Sequence, residues 1–310
     1  MYKRQVIAQD DKEIYTLQAW LIPGLDIDKM PPGQVLERWV GTGFPYEILQ
    51  ANPWYANFVV AKRYRVGRVL LAGDSAHQFI PTGGYGMNSG VADAAGLSWV
   101  LAANIQGWGG DGLLDAYDSE RRPTAWWHLE ASRRHMGVRM QIGQLYAEAG
   151  NIDGADDGAK RAGLGQTIQS IGNAENESWG VELGYRYDDS PCIAAELNPR
   201  AIDPLPYVPS TVPGARLPHV FLSDGVSIHD KLGHYFTLLA IDVVDVDLVT
   251  RAATKLGIPM SVVQLRRPDL LSIYSRKYLL IRPDQHIAWR GDELPSDMHD
   301  ILLRSTGRKG

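Results

Sequence analysis

The chain has 310 residues, 45% of them hydrophobic, with 31 basic and 36 acidic side chains and a formal net charge of −5. That length allows two domains with cores of their own, and the mildly acidic balance gives no electrostatic case for nucleic acid as a partner. A single cysteine, Cys192, excludes an intrachain disulfide and fits a reducing cytoplasm; no apolar run reaches the roughly 18 to 20 residues of a membrane helix, so a soluble chain with no membrane partner is expected.

Residues Met1-Tyr2-Lys3-Arg4-Gln5 resemble translated adapter sequence and are too polar for the apolar region of a signal peptide, so they are set outside the fold. The segment from Ile14 to Leu21, IYTLQAWL, reads as a strand, Gln34 to Val40 as a short helix, and Ala56 to Lys62 as another strand. The aromatic residues Trp20, Phe44, Tyr46, Trp54 and Tyr55 along this stretch suit either an apolar pocket or ordinary core packing.

The run VGRVLLAGDSAHQFIPTGGYGMN, Val66 to Asn88, carries most of the chemistry. Val69 to Ala72 is too short for a helix and reads as a buried strand. Gly73 then permits a tight turn, and Asp74 follows where the carboxyl end of a strand meets a ligand. A carboxylate there accepts hydrogen bonds from sugar-like hydroxyls and disfavours phosphate; the other reading is a cap on the next turn. Beyond Pro81, the residues Gly83, Gly84, Tyr85, Gly86, Met87 and Asn88 lead into a helix over Ser89 to Asn104. Glycines let backbone amides approach a ligand closely, and a helix N-terminus favours negative charge. His77 is expected to be a structural hydrogen-bonding residue, and the eight histidines show no paired spacing of metal ligands.

Leu113 to Tyr146 is expected to be mostly helical, broken or kinked at Pro123. Within it, Arg121 and Arg122 lie beside Glu120 and Asp118, a pattern read as a structural ion-pair cluster. Asp153 to Asp157 reads as a polar loop, and Pro191 to Pro213 as a proline-rich connector between domains. Strands are then expected at Val220 to Leu222, Tyr235 to Ile241, Met260 to Leu265, Lys277 to Arg282 and Ile287 to Arg290. Helices at Asp247 to Leu256 and Ser296 to Arg304 complete a small α/β domain.

Gly-Asp-Ser-Ala-His at 73–77, Pro81, Gly-Gly-Tyr-Gly-Met-Asn at 83–88 and an Ala-rich helix with Asp93 together resemble the second flavin fingerprint of FAD-dependent aromatic-ring hydroxylases. These are class A flavoprotein monooxygenases, and the phenol and polyketide hydroxylase branch is the most similar. Tyr117 to Pro123, Leu183 to Tyr187, Pro213 to Arg216 with Pro218-His219, and Ile281 to Gly291 extend the resemblance over nearly all residues after about Val6.

The resemblance implies an α/β (α+β) chain. A partial FAD- and substrate-binding monooxygenase domain would span 1–190, the connector 191–213, and a small thioredoxin-like domain 214–310. Lacking Cys-x-x-Cys, that last domain would do no thiol redox chemistry; packing or support of a homodimer is its implied role. FAD is the implied cofactor, NADPH or NADH its transient electron donor, dioxygen the co-substrate, and a phenolic or polyketide aromatic ring the site of hydroxylation. The isoalloxazine would do the oxygen chemistry. Gly73, Asp74, Pro81, Gly83, Gly84, Tyr85, Gly86, Met87 and Asn88 would hold it, with the Pro81 carbonyl free to face the flavin edge or Pro81 acting only as a rigid turn residue; no side chain is assigned as catalytic.

No segment before Val66 carries the family's Gly-x-Gly-x-x-Gly, and its middle Asp-Gly motif is also lacking. The chain is therefore expected to be the C-terminal part of a longer enzyme. The alternative is a non-catalytic structural or partner-binding remnant that does not retain FAD by itself.

Overall fold

The computed structural model describes residues 4–19, 31–150, 152, 154, 157–172 and 175–308. They group into two compact units, one of 1–56 with 136–172 and one of 57–135 with 173–310.

In the first unit, β1 (Arg4–Ala8) and β2 (Tyr15–Ala19) form an antiparallel hairpin with Val6 opposite Leu17. Asp10 builds its turn, one carboxylate oxygen accepting the amides of Lys12, Glu13 and Ile14 at 3.1, 3.0 and 2.9 Å. Arg4 and Gln5, set aside on sequence grounds, are thus part of a strand; ladder pairing uses only backbone N–H and C=O groups and is indifferent to their polar side chains. Trp20 and Leu21, at the end of the strand expected over Ile14 to Leu21, lie outside the described residues. Helix α1 (Pro32–Val40) opens on a proline whose missing N–H costs nothing in a first turn.

Residues 41–56 form no helix or strand, and Phe44, Tyr46, Trp54 and Tyr55 are all exposed, which excludes the core-packing alternative for these four. Helix α4 (Gly158–Ile171) was not legible in the sequence because it has three glycines and buries no residue, so it carries no apolar stripe. Of the expected polar loop at 153–157, residues 153, 155 and 156 lie outside the described residues.

Helix α3 (Asp111–Ala149) begins in the second unit and ends in the first. It runs through Pro123 without the expected break. Proline removes from the ladder the amide that would bond to the Ser119 carbonyl, and the neighbouring Thr124 hydroxyl donates to the Glu120 carbonyl at 2.8 Å.

In the second unit the expected early strands shrink to two-residue ladders. β3 (Val59–Val60) pairs with β6 (His77–Gln78), and β4 (Arg65–Val66) with β5 (Val69–Leu70), all antiparallel. The buried strand expected at Val69 to Ala72 is instead an edge hairpin, and Val69 is 65% exposed. Helix α2 spans Tyr85–Ile105, and the short α5 Trp179–Leu183. Residues 191–213 contain neither helix nor strand.

The C-terminal elements are α6 (Ile228–Lys231), β7 (Phe236–Ile241), α7 (Asp247–Leu256), β8 (Met260–Leu265), α8 (Leu271–Tyr274), β9 (Tyr278–Ile281), β10 (Ile287–Gly291) and α9 (Met298–Ser305). The four strands form one sheet in the order β10-β9-β7-β8, with β7 and β8 parallel and the other pairs antiparallel. This is thioredoxin-like topology.

Strand β7, FTLLAI, is buried along its whole length because both faces of the sheet are covered. Phe236, Leu238 and Ala240 pack with Trp99, Val100 and Ala103 of α2, Leu113 of α3 and Leu302 of α9. The alternate residues Leu239 and Ile241 pack on the other side with Leu217, Ile228 and Tyr274. The flavin-like helix and the C-terminal sheet therefore share one core.

Candidate functional site

The site begins at Gly73, which enters a 3-10 turn, Gly73–Ser75, with φ +58°. A Cβ on Gly90 of α2 would stand 3.3 Å from the Gly73 Cα, so this turn lies directly on the second turn of α2 and a side chain at Gly90 would push it away. Its position is set by Asp93, the one charged residue in the 21-residue helix. The Asp93 carboxylate is fully buried. One oxygen accepts the Gly73 amide at 3.1 Å and the His77 Nε2 proton at 2.9 Å; the other accepts Arg121 Nε at 2.7 Å. Burial works against the charge, yet the His77, Arg121 and Gly73 contacts outweigh it and hold the carboxyl below its ordinary range.

His77 is thus structural, as expected, with its ring stacked on Phe79 at 4.7 Å. Arg122 pairs with Asp118 at 3.1 Å, whereas Arg121 and Glu120 do not pair with each other. Consecutive helical residues point in different directions: Arg121 turns to Asp93, and Glu120 turns to Arg282, which grips it through two bonds of 2.5 and 2.7 Å. Arg121 also donates to the Tyr187 hydroxyl at 3.2 Å.

The glycine turn is clamped from α3. Ser132 Oγ donates to the Ile80 carbonyl at 2.9 Å, and Thr82 Oγ1 donates to the Ser132 carbonyl at 2.8 Å. The Pro81 carbonyl, expected to be free, accepts the Gly84 amide at 3.1 Å and keeps one lone pair for another donor. Gly83 and Gly84 take φ values of +84° and +72°, and α2 starts from Gly84 with no side-chain cap.

Its first-turn amides, from Tyr85 onward, are therefore not satisfied by any side chain at the cap, as a polar ligand's site requires. The Gly83 amide donates to a Glu175 carboxylate oxygen at 3.2 Å, which shows directly that this turn accepts a negative group.

The expected site residues divide by what they present. Apart from chain neighbours and the helix's own backbone, no described residue comes within 4 Å of where a Cβ on Gly84 or Gly86 would be, leaving open space there. The Asp74 carboxylate is exposed and has no hydrogen-bond partner among the described residues. Met87 is 78% exposed. Tyr85 presents only its backbone, since its side chain is buried, stacks on His128 and bonds through its hydroxyl to His135 Nε2 at 2.9 Å. The Asn88 amide group turns back to the Gly84 carbonyl at 2.9 Å.

A flavin fits this donor set. Unpaired amides beside empty space suit the carbonyl and anionic edge of its ring, and a free carboxylate suits ribityl hydroxyls. Sequence reasoning assigned no role to Asp93, although a lone acid in an otherwise uncharged helix was a readable signal.

Residues 34–132 match the family profile of an FAD binding domain, and residues 210–308 that of the aromatic-ring hydroxylase C-terminal domain. Along both stretches the chain is similar to the FAD-dependent aromatic-ring hydroxylases. Among similar proteins of this family, the FAD-dependent monooxygenase apdD of Emericella nidulans is 34% identical over 98% of this chain and 53% of its own length. The structure of the rebeccamycin biosynthetic enzyme RebC with reduced flavin superposes with a TM-score of 0.83 at 34% identity, covering 98% of this chain and 56% of that one. Aklavinone-11 hydroxylase in its ternary complex with FAD and aklavinone has a TM-score of 0.78 at 26% identity, covering 98% and 57%. The chain spans about half the length of the curated relatives it matches.

Proposed function

We propose that this chain supplies the flavin-facing part of an FAD-dependent monooxygenase that hydroxylates a phenolic or polyketide aromatic ring. The observation that carries this reading is the uncapped, glycine-entered start of α2, with open space over Gly84 and Gly86, together with the exposed Asp74 carboxylate on the turn that packs against the same helix at Gly90. When bound, FAD supplies reductive activation of dioxygen, with NADPH or NADH as electron donor.

The chain's own residues bind and orient. The first-turn amides of Tyr85, Gly86 and Met87 would hold the electron-rich edge of the ring, Asp74 would accept from ribityl hydroxyls, and the remaining Pro81 lone pair would accept from a flavin N–H. Gly73 and Gly83 set the two turns, and Met87 covers the open side. No side chain at this site is assigned a proton-transfer role.

In this reading the monooxygenase part spans 1–190, the connector 191–213 and the thioredoxin-like domain 214–310. The last serves packing or a homodimer, and the protein works in the cytoplasm. A second reading, a partner-binding chain without retained flavin, is favoured by the exposed Trp54, Tyr55, Val66 and Val69.

The visible spectrum of the purified chain, after incubation with FAD and desalting, separates the two. Retained flavin absorption with shifted bands supports the first reading, and a colourless protein sinks it.

A further inference from the structure

The buried carboxylate of Asp93 is committed to three partners from three different elements. Gly73 belongs to the turn that presents Asp74, His77 to β6 and Arg121 to α3. Gly73 and His77 share one carboxylate oxygen, and Arg121 holds the other. Arg121 is itself buried and oriented by the Tyr187 hydroxyl and by the Ser89 carbonyl at 3.4 Å. None of these side chains reaches the open surface over Gly84 and Gly86. Within the Gly73–Ser75 turn the hub acts through the Gly73 backbone amide.

We propose that Asp93 is a positioning residue for flavin binding: its Arg121-anchored carboxylate holds the Gly73–Ser75 turn, which carries Asp74, against the second turn of α2. The left-handed Gly73 backbone makes this necessary. A glycine has the most backbone freedom of any residue, so the turn that aims Asp74 needs an outside restraint. The Gly73 amide bond to Asp93 is that restraint, and a bond to a charged acceptor is the stronger kind. His77 keeps the shared oxygen aimed at the turn. This inference rests on the flavin reading above, and its test has one arm that needs no flavin.

Asp93→Asn keeps the shape of the side chain but sets an NH2 group against donors on one side, whichever way the amide turns. Amide hydrogen exchange of the full chain, without FAD, reads the restraint directly. The Gly73 amide is expected to exchange at least about tenfold faster in Asp93→Asn, while Leu238 and Leu239 in β7 keep their rates within about twofold. An unchanged Gly73 rate overturns the proposal, and so does uniform acceleration that includes β7.

If Asp93→Asn does not fold, His77→Leu and His77→Gln carry the test, since glutamine returns a donor near the place of Nε2. Faster Gly73 exchange in His77→Leu that is restored in His77→Gln supports the proposal; equal rates in both variants overturn it. Quenching of FAD fluorescence on titration is the second arm, and a dissociation constant at least about tenfold weaker in the loosened variant is expected. Equal affinity in loosened and unaltered chains overturns the positioning role. No FAD binding by the unaltered chain sinks the functional reading, and the exchange arm then still decides what Asp93 holds.

Discussion

One added methyl group at each of two neighbouring glycines separates packing from ligand binding. Gly83 and Gly84 both have left-handed backbones, at +84° and +72°, so alanine at either position carries a conformational cost of about 1–2 kcal/mol. Their surroundings differ completely. At Gly83 the new Cβ would stand 2.4 and 2.9 Å from ring atoms of Tyr85 and 3.0 Å from His135. That ring is buried, stacked on His128 and bonded to His135, so it has nowhere to go, and overpacking adds about 1–3 kcal/mol.

Gly83→Ala should therefore destabilise by about 2–5 kcal/mol and Gly84→Ala by only about 1–2 kcal/mol. At Gly84 the methyl group enters space where, its chain neighbours apart, no atom of the described residues lies within 4 Å. If that space belongs to the flavin, Gly84→Ala weakens FAD binding by about tenfold or more, each tenfold being about 1.4 kcal/mol. Urea unfolding followed by tryptophan fluorescence measures the first quantity, and quenching of FAD fluorescence the second. Equal destabilisation by the two variants, or full FAD affinity in Gly84→Ala, would refute the reasoning.

Removing Arg282 takes its cation from the buried Asp284 as well as from Glu120, which is 4% exposed and keeps only the Ser190 hydroxyl, so Arg282→Met should cost about 3–5 kcal/mol, with part recovered in Glu120→Gln/Arg282→Met; a single-variant loss below about 1 kcal/mol contradicts the buried pairing. Burial, with Arg121 and His77 nearby, pushes His128 down to about 3. The unfolded chain then binds the extra proton between about pH 6.5 and 3, so stability is full above about 6.5 and falls through that window, by about 2 kcal/mol at pH 5. The urea midpoints of the unaltered chain and His128→Gln at pH 7 and 5 check this, and an equal pH dependence in the two argues against it. Cys192 is buried, and its thiol is pushed up to about 12, so iodoacetamide should leave it unmodified at pH 8 and alkylate it in urea; modification of the native chain at the unfolded rate would contradict its burial.

The legible parts of the fold were those in which local pattern and burial agree. Strands β7, β8, β9 and β10 and helix α7 were expected close to their observed bounds, because a sheet covered on both faces demands unbroken apolar runs such as FTLLAI and YLLI. The apolar body of α2 was legible, but its start, expected at Ser89, lies at Tyr85, so Gly86, Met87 and Asn88 are helical. Val69 to Ala72 misled, because an apolar tetrapeptide reads alike whether a sheet covers it or it lies at an edge. The uninterrupted α3 was equally hidden, since a proline costs a helix one backbone bond without always ending it.

At the candidate site, residue types in the sequence determined the chemistry: glycines where amides must be bare, an acid after a strand, and no metal-ligand spacing. Which atoms are offered was decided only by tertiary structure. Tyr85 and Asn88 turn their side chains away, the Pro81 carbonyl is half used, and Glu175 takes the Gly83 amide from 92 residues away. Asp93, Arg121 and Gly73 become partners only when α2, α3 and the turn pack together. A buried charge has to find its partners in space, and sequence separation says nothing about which they are.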